Sequence, residues 1–291
     1  MTVGIPEEGN PIIQDFMYVD VPRVRSLLGQ LYQGTPEKVE EVSEKLRRWG
    51  LGATLGIAKG EAGKQSIERN QETRSYGELH FTMFEQAAEA AGFLHDISDV
   101  ALVPPNWTNG TIQEVAPEGS IVRLTAASNI VDGHYFSEMV GHMLEANILG
   151  GRQKTAKSVY SMMKIMYPKG VVLRVMPCGA SRPNHGFVGT LLERSEYIDT
   201  ERSALYGRYG NEPREWVTVG IVARRGEREV SPAMPEMDAG GGKGFQREQL
   251  DALVQYFSKL MESHGANESP TYPGVAIVPL AVYRTIVGRR A

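Results

Sequence analysis

The sequence holds a single cysteine, Cys178, so no disulfide can form within the chain and nothing points to an oxidising compartment. Excess charge is also scarce. Lys and Arg number 31 against 35 Asp and Glu, a formal net charge of −4. That balance removes the overall electrostatic signature of a duplex-DNA binder, and duplex DNA is not expected as a partner. Long apolar runs are missing too. A stretch such as Val275–Leu280 is far too short to span a bilayer, so no membrane insertion is expected. The opening MTVGIPEEGNP carries acids and prolines where a signal peptide needs a basic start and an apolar run. These absences together lead to the expectation of a cytoplasmic protein.

What is present reads as an ordinary globular chain. The 291 residues, 41% of them hydrophobic, suffice for a sizeable core in one large domain or two intimate subdomains. After a leader over residues 1–15, Phe16–Val19 reads as a buried strand, and Asp20 caps a helix with Pro22 in its first turn. That helix carries Val24, Leu27, Leu28 and Leu31 on one stripe. A second helix is expected after Thr35-Pro36. Residues 58–77 are polar and read as a mobile surface segment, followed by a helix over His80–Ala91. A strand near Ile121 and Leu124 leads to Asp132-Gly133, which opens a helix bearing Phe136, Met139, Val140, Met143 and Leu144. Another helix is expected from about Thr155 to Tyr167. Val171–Met176, Gly186–Leu192 and Trp216–Ala223 read as strands. A Gly- and Pro-rich connector covers 231–246, and Leu250 to Met261 forms an amphipathic helix. The strand Val275–Val278 is then expected to give way to a helix begun by Pro279.

The expected architecture is α/β (α+β), a mixed sheet with amphipathic helices packed on it. Its divisions are an α-rich subdomain over 16–115, an α/β subdomain over 116–230, the 231–246 loop and a helix-strand-helix ending over 247–291.

Catalytic patterns are weak. The run 58–65, AKGEAGKQ, has glycine and lysine at phosphate-loop spacing but lacks the first glycine and the Ser or Thr that holds magnesium. Gly240–Gly244 is glycine-rich in a linker-like context. His95-Asp96 with His80 upstream, and His134 with His142 two turns on, do not converge on one metal, so no metal or other cofactor is expected. Cys178 and His185 flank a Pro/Gly-rich turn, but an orienting third group cannot be placed from spacing. No catalytic residue is therefore nominated.

The informative anomaly is a one-signed stretch. Between Glu145 and Glu193 no acid occurs, yet Arg152, Lys154, Lys157, Lys164, Arg174 and Arg182 fall inside. Lys154, Lys157, Ser161 and Lys164 share one helical face, opposite Val159, Met162, Met163 and Met166. These six cations are the candidate binding residues for an acidic partner, a phosphate or a nucleotide.

The segment Asp15-F-M-Y-V-D-V-P-R-V-R-S-L-L-G-Q-Leu31, together with His80–Ala91 and the ending Val278-P-L-A-V-Y-Arg284, resembles an uncharacterised bacterial domain-of-unknown-function family. Its signature is D-F-x-Y-x-D followed by R-x-S-L-x-x-Q-L. The resemblance implies no assigned chemistry, and it implies a setting near mobile-element or anti-phage defence genes. The expectation is thus a non-enzymatic sensor or regulatory component of such a conflict system, acting through a protein partner and open to homo-oligomer formation. The alternatives are a nucleotide- or phosphate-binding module and a phosphoesterase-type enzyme.

Overall fold

The computed structural model describes residues 13–33, 66–148, 153–166, 170–192, 202–209, 212–228, 256 and 270–286. Its organising feature is the strand β3 (Ile121–Val131), where Val122, Leu124, Ala126, Ser128 and Ile130 are buried and the residues between them are not. That alternation is the signature of a strand with one face in a core. β3 pairs antiparallel with β4 (Val171–Val175), β4 with β5 (Phe187–Leu191), and β5 parallel with β7 (Val275–Ile286). β7 then pairs antiparallel with β6 (Arg214–Arg225), which returns to β3 over Ile121–Ser128. The five strands close into a small barrel within a mixed sheet. β1 (Ile13–Val19) extends it beside the second half of β7, and β2 (Leu94–Asp96) lies parallel to the start of β3.

The helices follow local signals. Asp20 is buried, accepts from Arg23 N on Oδ1 at 3.3 Å, and so caps α1 (Val21–Gln33) as expected. Asp132, also buried, accepts from Tyr135 N at 2.8 Å and caps α5 (Gly133–Glu145). Between them run α2 (Ser66–Ala90), α3 (Ser98–Ala101), a 3-10 turn (Pro104–Trp107) and α4 (Thr111–Val115). α6 (Gln153–Met166) and α7 (Arg202–Tyr209) follow later in the chain. α1 and α2 lie close enough that a Cβ on Gly77 would sit 2.5 Å from Val21 Cγ2. Phe81 of α2 meets Phe16 of β1 and Tyr283 of β7, 5.6 Å and 5.8 Å between ring centroids, and Phe84 packs beside Phe81 at 6.2 Å. No helix among the described residues is long and apolar enough to cross a membrane.

Three expectations change. β1 begins at Ile13, inside the expected leader. Helix α2 reaches back to Ser66, so residues 66–77 are helical where a mobile segment was expected. Their Glu, Gln and Arg content favours helix even without an apolar stripe. The third concerns Pro279, which does not start a helix because β7 continues through it to Ile286. The pairing slips there, from Val219↔Ala281 to Gly220↔Pro279, and a register irregularity is where a strand accommodates a residue without an N–H. The expected helices after Pro36 and over 250–261, and the 231–246 connector, lie outside the described residues apart from Tyr256, which is helical.

Candidate functional site

The six cations nominated from sequence fall in two places. Lys157 and Lys164 project from α6, both exposed, with Ser161 exposed between them and its hydroxyl turned back to Lys157 O at 3.0 Å. Lys154 lies on the same helix, and Arg152 falls outside the described residues. α6 meets α5 through Tyr160, whose ring a Cβ on Gly141 would approach to 3.1 Å. Among the described elements, α5 and α6 find their main packing partner in each other. This helical hairpin joins the end of β3 to the start of β4. Met139 of α5 and Ile148 beyond it are exposed large apolar side chains. No ion pair to Lys157 or Lys164 occurs among the described residues.

Arg174 and Arg182 lie elsewhere. Arg174 is half-buried on β4, in register between Asn129 of β3 and Val188 of β5. Arg182 is exposed on the turn that leaves the far end of β4. The hairpin and this turn are at opposite ends of one strand, so the structure does not gather the six into a single site.

The same turn carries Cys178 and His185. The Cys178 thiol donates to Ala101 O at 3.4 Å rather than to an imidazole. Burial pushes it above its ordinary value, against the nearby charge of Arg182. His185 stands edge-on to Trp107, 6.1 Å between centroids, and burial with Arg182 holds it below the ordinary imidazole value. A thiol that burial pushes upward and that donates to a backbone carbonyl lacks the activation a nucleophile needs. The other described histidines do not converge: His134 and His142 each lie 3.5 Å from a carboxylate on their own helix, Glu138 and Glu145. No group of three or more His, Cys, Asp or Glu suited to a metal ion occurs among the described residues.

Sequence reasoning missed a buried polar network at the other side of the barrel. Glu85, on the inward face of α2 between Phe81 and Ala88, is buried. It accepts from Tyr283 Oη at 2.6 Å and from Gln14 Nε2 at 3.3 Å, and lies 3.5 Å from Arg123 Nη1. The Arg123 guanidinium also holds Glu89 with two bonds of 3.2 and 3.0 Å, and donates to Asp96 at 2.9 Å. One arginine of β3 thereby ties α2 and β2 together, while Glu85 reaches β1 and β7. Hydrogen bonding to Glu89, opposed by burial and joined by Asp96, raises the guanidinium's affinity for its proton. Burial, then the bond to Glu85, drives Tyr283 well above the ordinary phenol value. The signal for this cluster was a carboxylate inside an apolar stripe.

For Asp96, burial works upward, but bonds from Ser98 and then Arg123 outweigh it and lower the carboxyl below its ordinary 3.8. A depressed carboxyl stabilises the fold fully above its unfolded value and loses that contribution as pH falls through the folded one. Tyr283 works in the opposite direction: its phenol is favoured neutral, so its contribution is lost as pH climbs past the ordinary 10. Melting temperature followed against pH should therefore fall less steeply below pH 3.8 in Asp96→Asn, and less steeply above pH 10 in Tyr283→Phe, than in the parent. Parallel curves for parent and variants would remove the network from the acid and alkaline limits.

Among known families, residues 13–283 match the model described as a domain of unknown function, DUF6414. Neither the curated proteins nor the solved structures contain a match.

Proposed function

The chain belongs to the DUF6414 family, and within it we propose a non-enzymatic regulatory component that works by contact with an acidic partner protein on the basic face of α6. The observation that carries this reading is the exposed pair Lys157 and Lys164 on one face of α6, a helix that packs on α5 through Tyr160. No acid occurs from 146 to 192, so nothing in that segment neutralises the face. Attraction between opposite potentials speeds and orients encounter at such a surface. A convex helix face suits an extended acidic surface better than a lone phosphate, which takes convergent donors in a concave site. The state of Cys178, donating to a carbonyl, supports a role other than nucleophilic catalysis. The resemblance in the opening segment extends the proposal to a bacterial anti-phage or mobile-element conflict system, where the partner would be encoded beside this gene.

The test is affinity capture of neighbouring gene products at low and high salt, by the parent and by the Lys157→Glu, Lys164→Glu variant. Partner retention should weaken with salt in the parent and vanish in the variant. The melting temperature should hardly move, since exposed charges contribute only about 0–1 kcal/mol each. A variant that keeps the partner while staying folded would return the face to a solvated helix surface.

A further inference from the structure

The hairpin carries acids as well as lysines. Glu138 and Glu145 stand on α5, 53% and 80% exposed, and Lys157 and Lys164 are exposed on α6. The two helices run antiparallel, because the hairpin leaves β3 and re-enters β4 beside the paired residues Val131 and Val172. The close approach of Gly141 to the Tyr160 ring sets how each helix is turned about its own axis. Counted from those two residues, the charges hold the same positions in both helices. Glu138 precedes Gly141 by three residues and Glu145 follows it by four, while Lys157 precedes Tyr160 by three and Lys164 follows it by four. Positions i−3 and i+4 fall on one flank of residue i, about 40–60° round the axis. Equal offsets in antiparallel helices turn to the same side of the pair. One side of the hairpin therefore shows two columns, acidic on α5 and basic on α6, with Glu138 near the level of Lys164 and Glu145 near that of Lys157.

The columns do not join each other within the chain. Glu138 and Glu145 lie 3.5 Å from His134 and His142 of their own helix, and no ion pair to either lysine occurs among the described residues. A face divided into one acidic and one basic column is complementary to itself. Turned about a two-fold axis parallel to the columns, a second copy lays its acids over the first copy's lysines and its lysines over the first copy's acids, at unchanged levels. Contact of this isologous kind is the commonest way for identical chains to associate. A two-fold axis across the columns would set acid on acid, so the charges also select one orientation. We propose that this side of the hairpin is a self-association surface, on which α6 meets the acidic column of α5 from a second copy of the chain. The proposal rests on the reading of the α6 face as a contact for acidic protein surfaces, and names the chain itself as the bearer of one. A contact made of exposed charges gives a weak dimer that salt dissolves.

Sedimentation of the full chain over a concentration series, at low and at high salt, tests this. The parent should dimerise at low salt and return to monomer at high salt. Lys157→Glu with Lys164→Glu should stay monomeric at low salt, and so should Glu138→Lys with Glu145→Lys. Each of these variants carries two columns of one sign, so mixing them in equal amounts should restore a dimer of one acidic and one basic copy. Melting temperatures should match the parent's, because exposed charges matter little to the fold. The neutral versions, Lys157→Gln with Lys164→Gln and Glu138→Gln with Glu145→Gln, should each weaken the dimer and fail to rescue one another. Glu138→Lys with Glu145→Lys leaves the α6 lysines in place and so separates the two readings. If that variant captures a neighbouring gene product while the parent stays monomeric, the acidic partner stands and self-association falls. The proposal is overturned if the parent is monomeric at low salt throughout the series, or if either charge-reversed variant dimerises as the parent does. It is equally overturned if the folded variants stay monomeric when mixed, or if the neutral versions dimerise as tightly as the parent.

Discussion

Replacing Arg123 with methionine is expected to lower the unfolding free energy by about 3–5 kcal/mol, the scale for removing one partner of a buried ion pair. The Glu85 carboxylate, 9% exposed, lies 3.5 Å from this guanidinium. With the guanidinium gone, it keeps the Tyr283 hydroxyl and the Gln14 amide as donors but loses its cation in a site water barely reaches. The exposed partners matter less. Glu89, 55% exposed, should cost no more than about 1 kcal/mol as Glu89→Gln. Combining Arg123→Met with Glu85→Leu should recover much of the loss, since an apolar pair of similar volume often replaces a buried ion pair at little cost. Urea melts of the singles and the double form the cycle. A single-variant change below about 1 kcal/mol would mean that solvent reaches Glu85.

Phe81→Ala should cost about 3–5 kcal/mol, the range for removing a buried aromatic ring. Phe81 is 0% exposed and touches Phe16, Phe84 and Tyr283, with ring centroids 5.6, 6.2 and 5.8 Å away. Those neighbours belong to three elements, β1, α2 and β7, so the space left cannot close by one helix sliding inward. A urea midpoint close to that of the parent would show that α2 does not seal this end of the barrel. Phe81→Leu, keeping most of the volume, should lose clearly less.

Local signals in the sequence were read well where one residue decides the outcome. Asp20 and Asp132 cap their helices because a short acidic side chain reaches the free amides of the first turn. The strand near Ile121 and Leu124 was legible too, although which face it buries, that of Val122, Leu124 and Ala126, emerged only from the structure. Reading failed where a rule had two outcomes. Proline suits the first turn of a helix and also a strand irregularity, and only the pairing with Gly220 decides between them for Pro279. The polar run from Ser66 looked unstructured because hydrophobic periodicity says nothing about a helix that is polar over its first turns. Barrel closure was beyond reach. It rests on β3 meeting β6 and β5 meeting β7, contacts between segments far apart in the chain.

The candidate site divides the same way. Lys157 and Lys164 were placed on one helical face by spacing alone, and both are exposed there. Arg174 and Arg182 were grouped with them because they share a stretch without acids, whereas β4 separates them from the hairpin. Glu85 escaped notice because one acid in an apolar stripe identifies neither Tyr283 nor Arg123 as its partner.

The place of β7 in the sheet governs how the chain emerges from a ribosome. This strand pairs with β1, β5 and β6, yet it is made after all three. At about 5–20 residues per second, β1 waits on the order of tens of seconds for its partner. Throughout that interval the nascent chain carries unpaired strand edges and the apolar face that α2 will share with Tyr283, the kind of surface that chaperones hold and that neighbouring chains stick to. Closure therefore waits for Val275–Ile286, and a product cut short before Val275 would hold every other described strand and no ring for them to join.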